Sequence, residues 1–275
     1  MDVTLNDKEH TLNGFARVEY VNRSPDTLDF IWFHLWPNAF RTDRTAFSDQ
    51  LLTNGRTDFY FSKDEDRGYI NRLDFRINSQ SLKTEDHPQH IDLVKVWLNK
   101  PLPPGANVEI TTPFHVQLPK NFSRGGHVHQ SYQVTQWYPK PAMYDREGWH
   151  LMPYLDQGEY YNNFGDYEVK ITVPANYVVL AGAQLTDTDE LQWLKGRSNF
   201  QLPPAPKPKP GTPPSKTKVN RVPSAPTTKT LVYRQNLVTD FAWFADKRYC
   251  VQTDTVLLPG GKIVQLMVAH LPGNK

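Results

Sequence analysis

Residues 167–173 read YEVKITV, a run in which apolar and polar side chains alternate. Because successive side chains of a strand point to opposite faces of a sheet, this alternation predicts a strand with one buried face. Other short segments are strand-like in composition, and they are residues 15–22, 28–36, 93–98, 108–116, 131–138, 177–181, 230–235, 249–257 and 263–269. Most are bounded by Pro, Gly, Asn or Asp, which is typical of all-β sandwiches and barrels.

Helical patterning is scarce in this sequence. No amphipathic segment longer than about three turns follows the period of an α-helix. We predict helix only at residues 45–52 and in a turn near residues 240–245. The many short strand-like segments therefore predict an all-β fold. The strand-like pattern resumes at residue 230 after a proline-rich stretch, which predicts one domain spanning residues 1–275.

The charge balance and the cysteine content exclude several classes of protein. The chain has 31 Lys and Arg against 29 Asp and Glu, so it lacks the concentrated basic charge that nucleic acids or membrane surfaces attract. Its one cysteine, Cys250, excludes an intramolecular disulfide, and its strand-like surroundings predict a buried structural thiol. No apolar run reaches the roughly 18 residues of a membrane span, so we predict no transmembrane segment.

Two polar stretches interrupt the strand-like pattern. Residues 203–226 hold nine of the 23 prolines, which predicts a flexible loop inserted within the domain or a proline-rich ligand for an aromatic groove. Residues 40–68 are dense in Asp and Arg and are predicted to form a solvated loop. Asp64, Glu65 and Asp66 are alternative calcium ligands there, although their spacing lacks the alternation of a calcium-binding loop.

Familiar catalytic motifs are absent: HExxH, GxSxG, GxxxxGK(S/T), GxGxxG and CxxC do not occur. His127 and His129 are the candidate metal ligands, because residues i and i+2 of a strand share a face. A third ligand would have to come from elsewhere, such as His115 or Asp145. The other interpretation places both histidines in a loop after a Gly-Gly turn, with no metal.

Residues 131–167 combine many aromatic side chains with Gln, Asp and Glu. Such a segment can form a platform on which sugars stack, in which case the rings of Trp137 or Trp149 should be exposed and coplanar. It can equally form a core in which Tyr and Trp polar groups find partners. The pattern favours core packing.

This aromatic segment also resembles a known family. The runs QWYPKPAMYD (residues 136–145) and GWHLMPYLDQGEYYNNFGDYEVKITVPANYVVLAGAQL (residues 148–185) resemble the N-terminal β domain of aminopeptidase-N-type zinc metallopeptidases, the gluzincins. The best match is to their bacterial branch. FHLWPNAF (residues 33–40) and YRQNLVTDFAWFADKRY (residues 233–249) extend the resemblance in the same order.

The resemblance implies a saddle-shaped domain or β-sandwich of two packed, mostly antiparallel sheets with long loops and little helix. In the family, a catalytic domain with HExxH and zinc follows. The expected partners are therefore this chain's own C-terminal catalytic domain and a peptide substrate, with no cofactor in the chain itself and no activity on its own. The start MDVTLNDKEH lacks a signal-like pattern. We expect a piece of a longer protein that is exported to the periplasm or the cell surface.

The family's N-terminal domain also supplies a Gln or Glu that binds the substrate α-amine. An acceptor oxygen facing an ammonium group would fix the end of the peptide. The resemblance implies Gln130, Gln133 or Gln136 for this role, although all three can also be ordinary polar strand residues. The expected function is a noncatalytic N-terminal domain that helps to bind the peptide N-terminus; the alternative is a free-standing β-sandwich module that binds glycan or peptide.

Overall fold

The structure, a computed structural model, describes residues 1–201 and 222–272. Most of the predicted proline-rich loop, residues 203–221, lies outside the described residues, and only residues 222–226 of it are included. Within the described part of the chain, no helix is long and apolar enough to cross a membrane.

The described residues form 21 strands. In chain order they are β1 (Asp2–Asn6), β2 (Thr11–Val21), β3 (Leu28–His34), β4 (Tyr69–Asn71), β5 (Arg76–Ile77), β6 (Gln80–Ser81), β7 (Thr84–Asp86), β8 (Leu93–Leu102), β9 (Asn107–Gln117), β10 (Gly126–Val128), β11 (Ser131–Val134), β12 (Lys140–Pro141), β13 (Met143–Asp145), β14 (Gly148–His150), β15 (Gly165–Pro174), β16 (Val178–Ala181), β17 (Gln184–Leu185), β18 (Thr228–Val238), β19 (Trp243–Asp246), β20 (Cys250–Leu257) and β21 (Ile263–His270). The two α-helices are α1 (Ala46–Thr53) and α2 (Thr188–Lys195).

The largest sheet has nine strands in the order β17-β18-β15-β1-β2-β9-β5-β6, with β4 also paired to β9. Its pairs are antiparallel except that β1 runs parallel to β15. The alternation predicted for residues 167–173 is confirmed in β15. Val169, Ile171 and Val173 are fully buried, whereas Lys170 is exposed. Burying each such side chain stabilises the fold by about 1.5–3 kcal/mol.

Two four-stranded sheets complete the main body, with the orders β10-β11-β19-β16 and β12-β3-β8-β7. One continuous core joins the large sheet to both of them, for example through Ile171 of β15, Val134 of β11 and Phe33 of β3. The pairs β13–β14 and β20–β21 each form a two-stranded sheet. The predicted all-β fold with antiparallel sheets and little helix is confirmed.

The helices only partly match the prediction. Helix α1 confirms the helix expected at residues 45–52, and the Thr45 hydroxyl caps it by accepting the Ser48 backbone N–H at 3.3 Å. The turn predicted near residues 240–245 is wrong, because strand β19 begins at Trp243 and pairs with both β11 and β16. Helix α2 was not predicted; the Asp187 side chain caps its first turn.

Candidate functional site

The three candidate glutamines lie along strand β11 and its two ends. Gln130 is buried in the tight turn between β10 and β11, and Gln133 lies within β11. Gln136 follows the end of β11 and adopts a left-handed backbone conformation with φ 47°. The chain therefore turns sharply after β11, and this turn brings Gln133 and Gln136 to one small crevice.

We call this feature the β11 crevice. It has room for about 20 Å³, roughly one water molecule, and is lined by Pro37, Phe40, Val116, Leu118, Pro119, Gly125, Gly126, Gln133, Thr135, Gln136, Trp137 and Tyr154. Gln130 is not among the lining residues. The structure thus brings two of the three predicted glutamines together and separates the third from them.

Glycine makes the close approach at this crevice possible. A Cβ at Gly126 would lie 2.5 Å from the backbone oxygen of Pro119, and one at Gly125 would lie 2.8 Å from Thr135 Oγ1. Gly126 also has φ +126°, a conformation that side chains other than glycine strongly disfavour. The Gly-Gly pair lets β10 pass against the segment that follows β9.

Two of the residues that line this crevice carry a buried side-chain oxygen that lacks a hydrogen-bond partner in the described part of the chain. Gln136 Oε1 and Thr135 Oγ1 are buried without a hydrogen-bond partner among the described residues. Gln133 Oε1 accepts one hydrogen bond from Asn121 Nδ2 and keeps a second lone pair. Sequence reasoning missed Thr135, because nothing in its local pattern separates it from other strand threonines. Such acceptors suit a compact donor such as an ammonium group.

A partly buried polar network adjoins Gln136. Lys140 Nζ lies 3.5 Å from Asp240 Oδ1 and also donates to the Thr239 backbone oxygen. The Tyr138 hydroxyl donates to Asp240 Oδ1 at 2.6 Å, and Asp240 Oδ2 accepts from Gln136 Nε2 at 3.4 Å. Burial lowers the pKa of Lys140, while the nearby Asp240 carboxylate acts in the opposite direction. Burial and then Asp240 raise the pKa of Tyr138.

The two candidate metal-binding histidines are placed differently from each other. His127 belongs to β10, and its ring stacks on His10 with centroids 3.8 Å apart. His129 lies in the turn beyond β10 with φ 52°, so the same-face argument for a strand does not apply to it. Burial, with a smaller contribution from His10, lowers the pKa of His127 to about 4.

The two residues considered as a third metal ligand contact other side chains. His115 Nδ1 lies 2.8 Å from Asn13 Oδ1, and Asp145 Oδ1 lies 2.8 Å from His150 Nε2. Residues 1–201 and 222–272 contain no group of three or more His, Cys, Asp or Glu that could hold a metal ion. Their side chains therefore do not fit a zinc site.

The predicted calcium ligands and the single cysteine have partners within the protein. Asp64, Glu65 and Asp66 form a short 3₁₀ turn, and their carboxylates pair with Arg67, Lys63 and Lys120, respectively. Cys250 is buried, as predicted, and its Sγ lies 3.3 Å from the Phe200 backbone oxygen.

The aromatic segment mainly packs into the core. Trp137 is only 1% exposed, and its Nε1 donates to the Phe241 backbone oxygen at 2.9 Å. Trp149 is partly buried between Phe30 and Tyr144, with its ring tilted by 60° relative to Tyr144. The coplanar exposed rings expected of a sugar platform are not formed at these two tryptophans.

A second candidate surface is the β-hairpin of β20 and β21, here called the C-terminal hairpin. Six successive residues of β20, from 252 to 257, are exposed, so neither face of that strand is covered. Leu257, Ile263 and Val268 are 70%, 65% and 57% exposed. Large apolar side chains gathered on one uncovered hairpin mark a surface for contact with another folded unit.

Comparisons with known proteins give a match in structure only. No family model matches the sequence, and none of the curated proteins matches it. The M1 zinc metallopeptidase of Deinococcus radiodurans is similar in structure, with 14% identity and a TM-score of 0.50 over 99% of this chain and 47% of that one. A mutant of it gives 14% identity and a TM-score of 0.51 over 99% and 46%.

The chain spans about half the length of the solved structures that it matches. At 14% identity the similarity establishes a shared fold.

Proposed function

We propose that this chain is the noncatalytic N-terminal domain of an aminopeptidase-like zinc metallopeptidase of the bacterial gluzincin branch. It packs on a catalytic domain that follows it, and it binds the terminal ammonium group of a peptide substrate in the β11 crevice, which has room for a group of about that size. The observation that carries the proposal is coverage: 99% of this chain shares its fold with slightly less than half of an M1 zinc metallopeptidase.

The C-terminal hairpin supports the packing part of the proposal. It presents Leu257, Ile263 and Val268 to solvent. Burying one such side chain against a partner stabilises an interface by up to about 1.5–3 kcal/mol. The following catalytic domain is the occupant to which this proposal commits.

The β11 crevice supports the binding part. An ammonium group has three N–H donors, and the crevice offers the side-chain oxygens of Gln133, Thr135 and Gln136 as acceptors. Phe40 and Tyr154 also line it, and aromatic rings attract cations. Binding the free terminus here would place the first peptide bond at a constant distance from the domain, which is the requirement for removing one residue at a time.

Zinc belongs, in this proposal, to the catalytic domain, since the described residues offer no ligand set for it. There it would supply a Lewis acid that activates water. The role of this chain is to bind and orient the peptide terminus. Export to the periplasm or cell surface is part of the same proposal, rests on the sequence resemblance, and is tested by cell fractionation.

The test uses the full protein that carries this chain and pairs of peptides with a free or an acetylated N-terminus. We expect hydrolysis of the free peptides only, and Gln136→Ala should raise their KM about tenfold, the loss of one hydrogen bond to a charged group. Gln80→Ala is the matched control, because Gln80 Oε1 accepts a hydrogen bond from Asn99 on the exposed surface. Equal hydrolysis of acetylated and free peptides would contradict the proposed binding mode.

A further inference from the structure

A glutamine side chain can bind an ammonium group only when its oxygen, and not its nitrogen, faces that group. The two ends of the amide are nearly identical in shape but opposite in hydrogen bonding. We infer that Asp240 is a positioning residue that holds the amide of Gln136 with Oε1 directed to the β11 crevice. This inference rests on the proposed function and adds the element that determines the charge preference of the site.

The hydrogen bond between Gln136 and Asp240 sets the orientation of the amide. An ionised carboxylate only accepts hydrogen bonds, so the group that faces Asp240 Oδ2 at 3.4 Å must be the Nε2 amide nitrogen. Asp240 does not line the crevice, whereas Gln136 does. The oxygen is therefore the end of the amide turned away from Asp240, and it is buried with no partner among the described residues.

Asp240 is itself held by three donors. Its Oδ1 accepts the Tyr138 hydroxyl at 2.6 Å and the Phe241 backbone N–H at 2.8 Å, and Lys140 Nζ lies 3.5 Å away. With Oδ1 occupied in this way, Oδ2 is directed to Gln136. The Lys140 side chain is only 5% exposed, and Lys140 is not among the residues that line the crevice.

The backbone of Gln136 agrees with a role for this side chain. Its φ of 47° lies in the left-handed region, which is unfavourable for a residue other than glycine. A glycine would adopt the same turn without that cost. The strained conformation carries Gln136 out of the line of β11 to the place where it meets both Asp240 and the crevice.

The experiment is a double-mutant cycle in the full protein, with KM for peptides with a free N-terminus as the readout. Asp240→Asn replaces an obligate acceptor by an amide that can also donate, so the orientation of Gln136 is no longer fixed. We expect Asp240→Asn to raise KM about fivefold when Gln136 is present and less than about twofold in the Gln136→Ala background. Asp240→Glu, which keeps the carboxylate, should restore most of the loss.

Two results would overturn the inference, and they are distinguishable. If Gln136→Ala raises KM but Asp240→Asn costs the same in both backgrounds, Asp240 does not act through Gln136, while the proposed amine site stands. If Gln136→Ala leaves KM unchanged, both the amine site and this inference fail. Should Asp240→Asn not fold, the cycle is run with Lys140→Met and Asp240→Asn together, which removes the buried charge pair as a unit.

Discussion

Gly126 provides a direct test of how tightly the wall of the β11 crevice is packed. In Gly126→Ala the new Cβ would lie 2.5 Å from the Pro119 backbone oxygen and 3.0 Å from that of Lys120. Both contacts are to backbone, so they are relieved only if β10 moves away. The φ of +126° adds about 1–3 kcal/mol of conformational strain for alanine.

Together these effects should lower the free energy of unfolding by about 3 kcal/mol, with strain and displacement of β10 contributing comparably. For a chain of this size, the expected fall in Tm is about 8 °C. The assay is urea and thermal unfolding followed by circular dichroism. Because β10 carries one wall of the crevice, Gly126→Ala should also weaken binding of free-amine peptides.

Gly55→Ala is the matched control. Gly55 also has a positive φ, +75°, but an added Cβ there meets nothing within 4 Å. The free energy of unfolding of Gly55→Ala should therefore fall only by the cost of left-handed strain, about 1 kcal/mol. If Gly126→Ala were no more destabilising than Gly55→Ala, the close approach of β10 to Pro119 would be refuted, and with it the geometry of the crevice.

Two further predictions concern pH and the hairpin. Burial, with Lys140 adding to it, lowers the pKa of His34 from 6.5 to about 3. Between pH 6.5 and 3 the unfolded chain therefore binds more protons than the folded chain, so the free energy of unfolding is highest above about pH 6.5 and falls as the pH drops toward 3. In urea titrations from pH 7 to 4, His34→Phe should reduce this dependence of stability on pH. An unchanged dependence would contradict the assignment of the effect to His34. Leu257→Ser with Ile263→Ser should change the free energy of unfolding of this chain by less than about 0.5 kcal/mol in urea titrations, because both side chains are exposed. A large loss of stability would mean that the hairpin is already packed.

Local patterns were sufficient to predict most of the fold. The alternation YEVKITV places Val169 and Ile171 inside and Lys170 outside, as observed in β15. Helix α1 was predictable from its own residues. Strand β19 was not, because its structure depends on pairing with β11 and β16 on both sides, and such distant partners override local preference.

The candidate site was only partly predictable. Gln133 and Gln136 could be selected from the resemblance, but their convergence on one crevice depends on the left-handed turn at Gln136. Asp240 lies 104 residues from Gln136 along the chain, and no local pattern links the two. Thr135 becomes a candidate only when the packing against Gly125 is known. Contacts between distant segments determine which polar side chains share a site.

The most direct test of the central claim, that this chain is one half of a larger peptidase, is hydrogen–deuterium exchange of the C-terminal hairpin. It compares the backbone amides of β20 and β21 in this chain alone and in the full protein that carries it. The account predicts rapid exchange of the exposed residues 252–257 in the chain alone and strong protection in the full protein, because the catalytic domain covers them. Equal exchange in both would contradict packing through this hairpin.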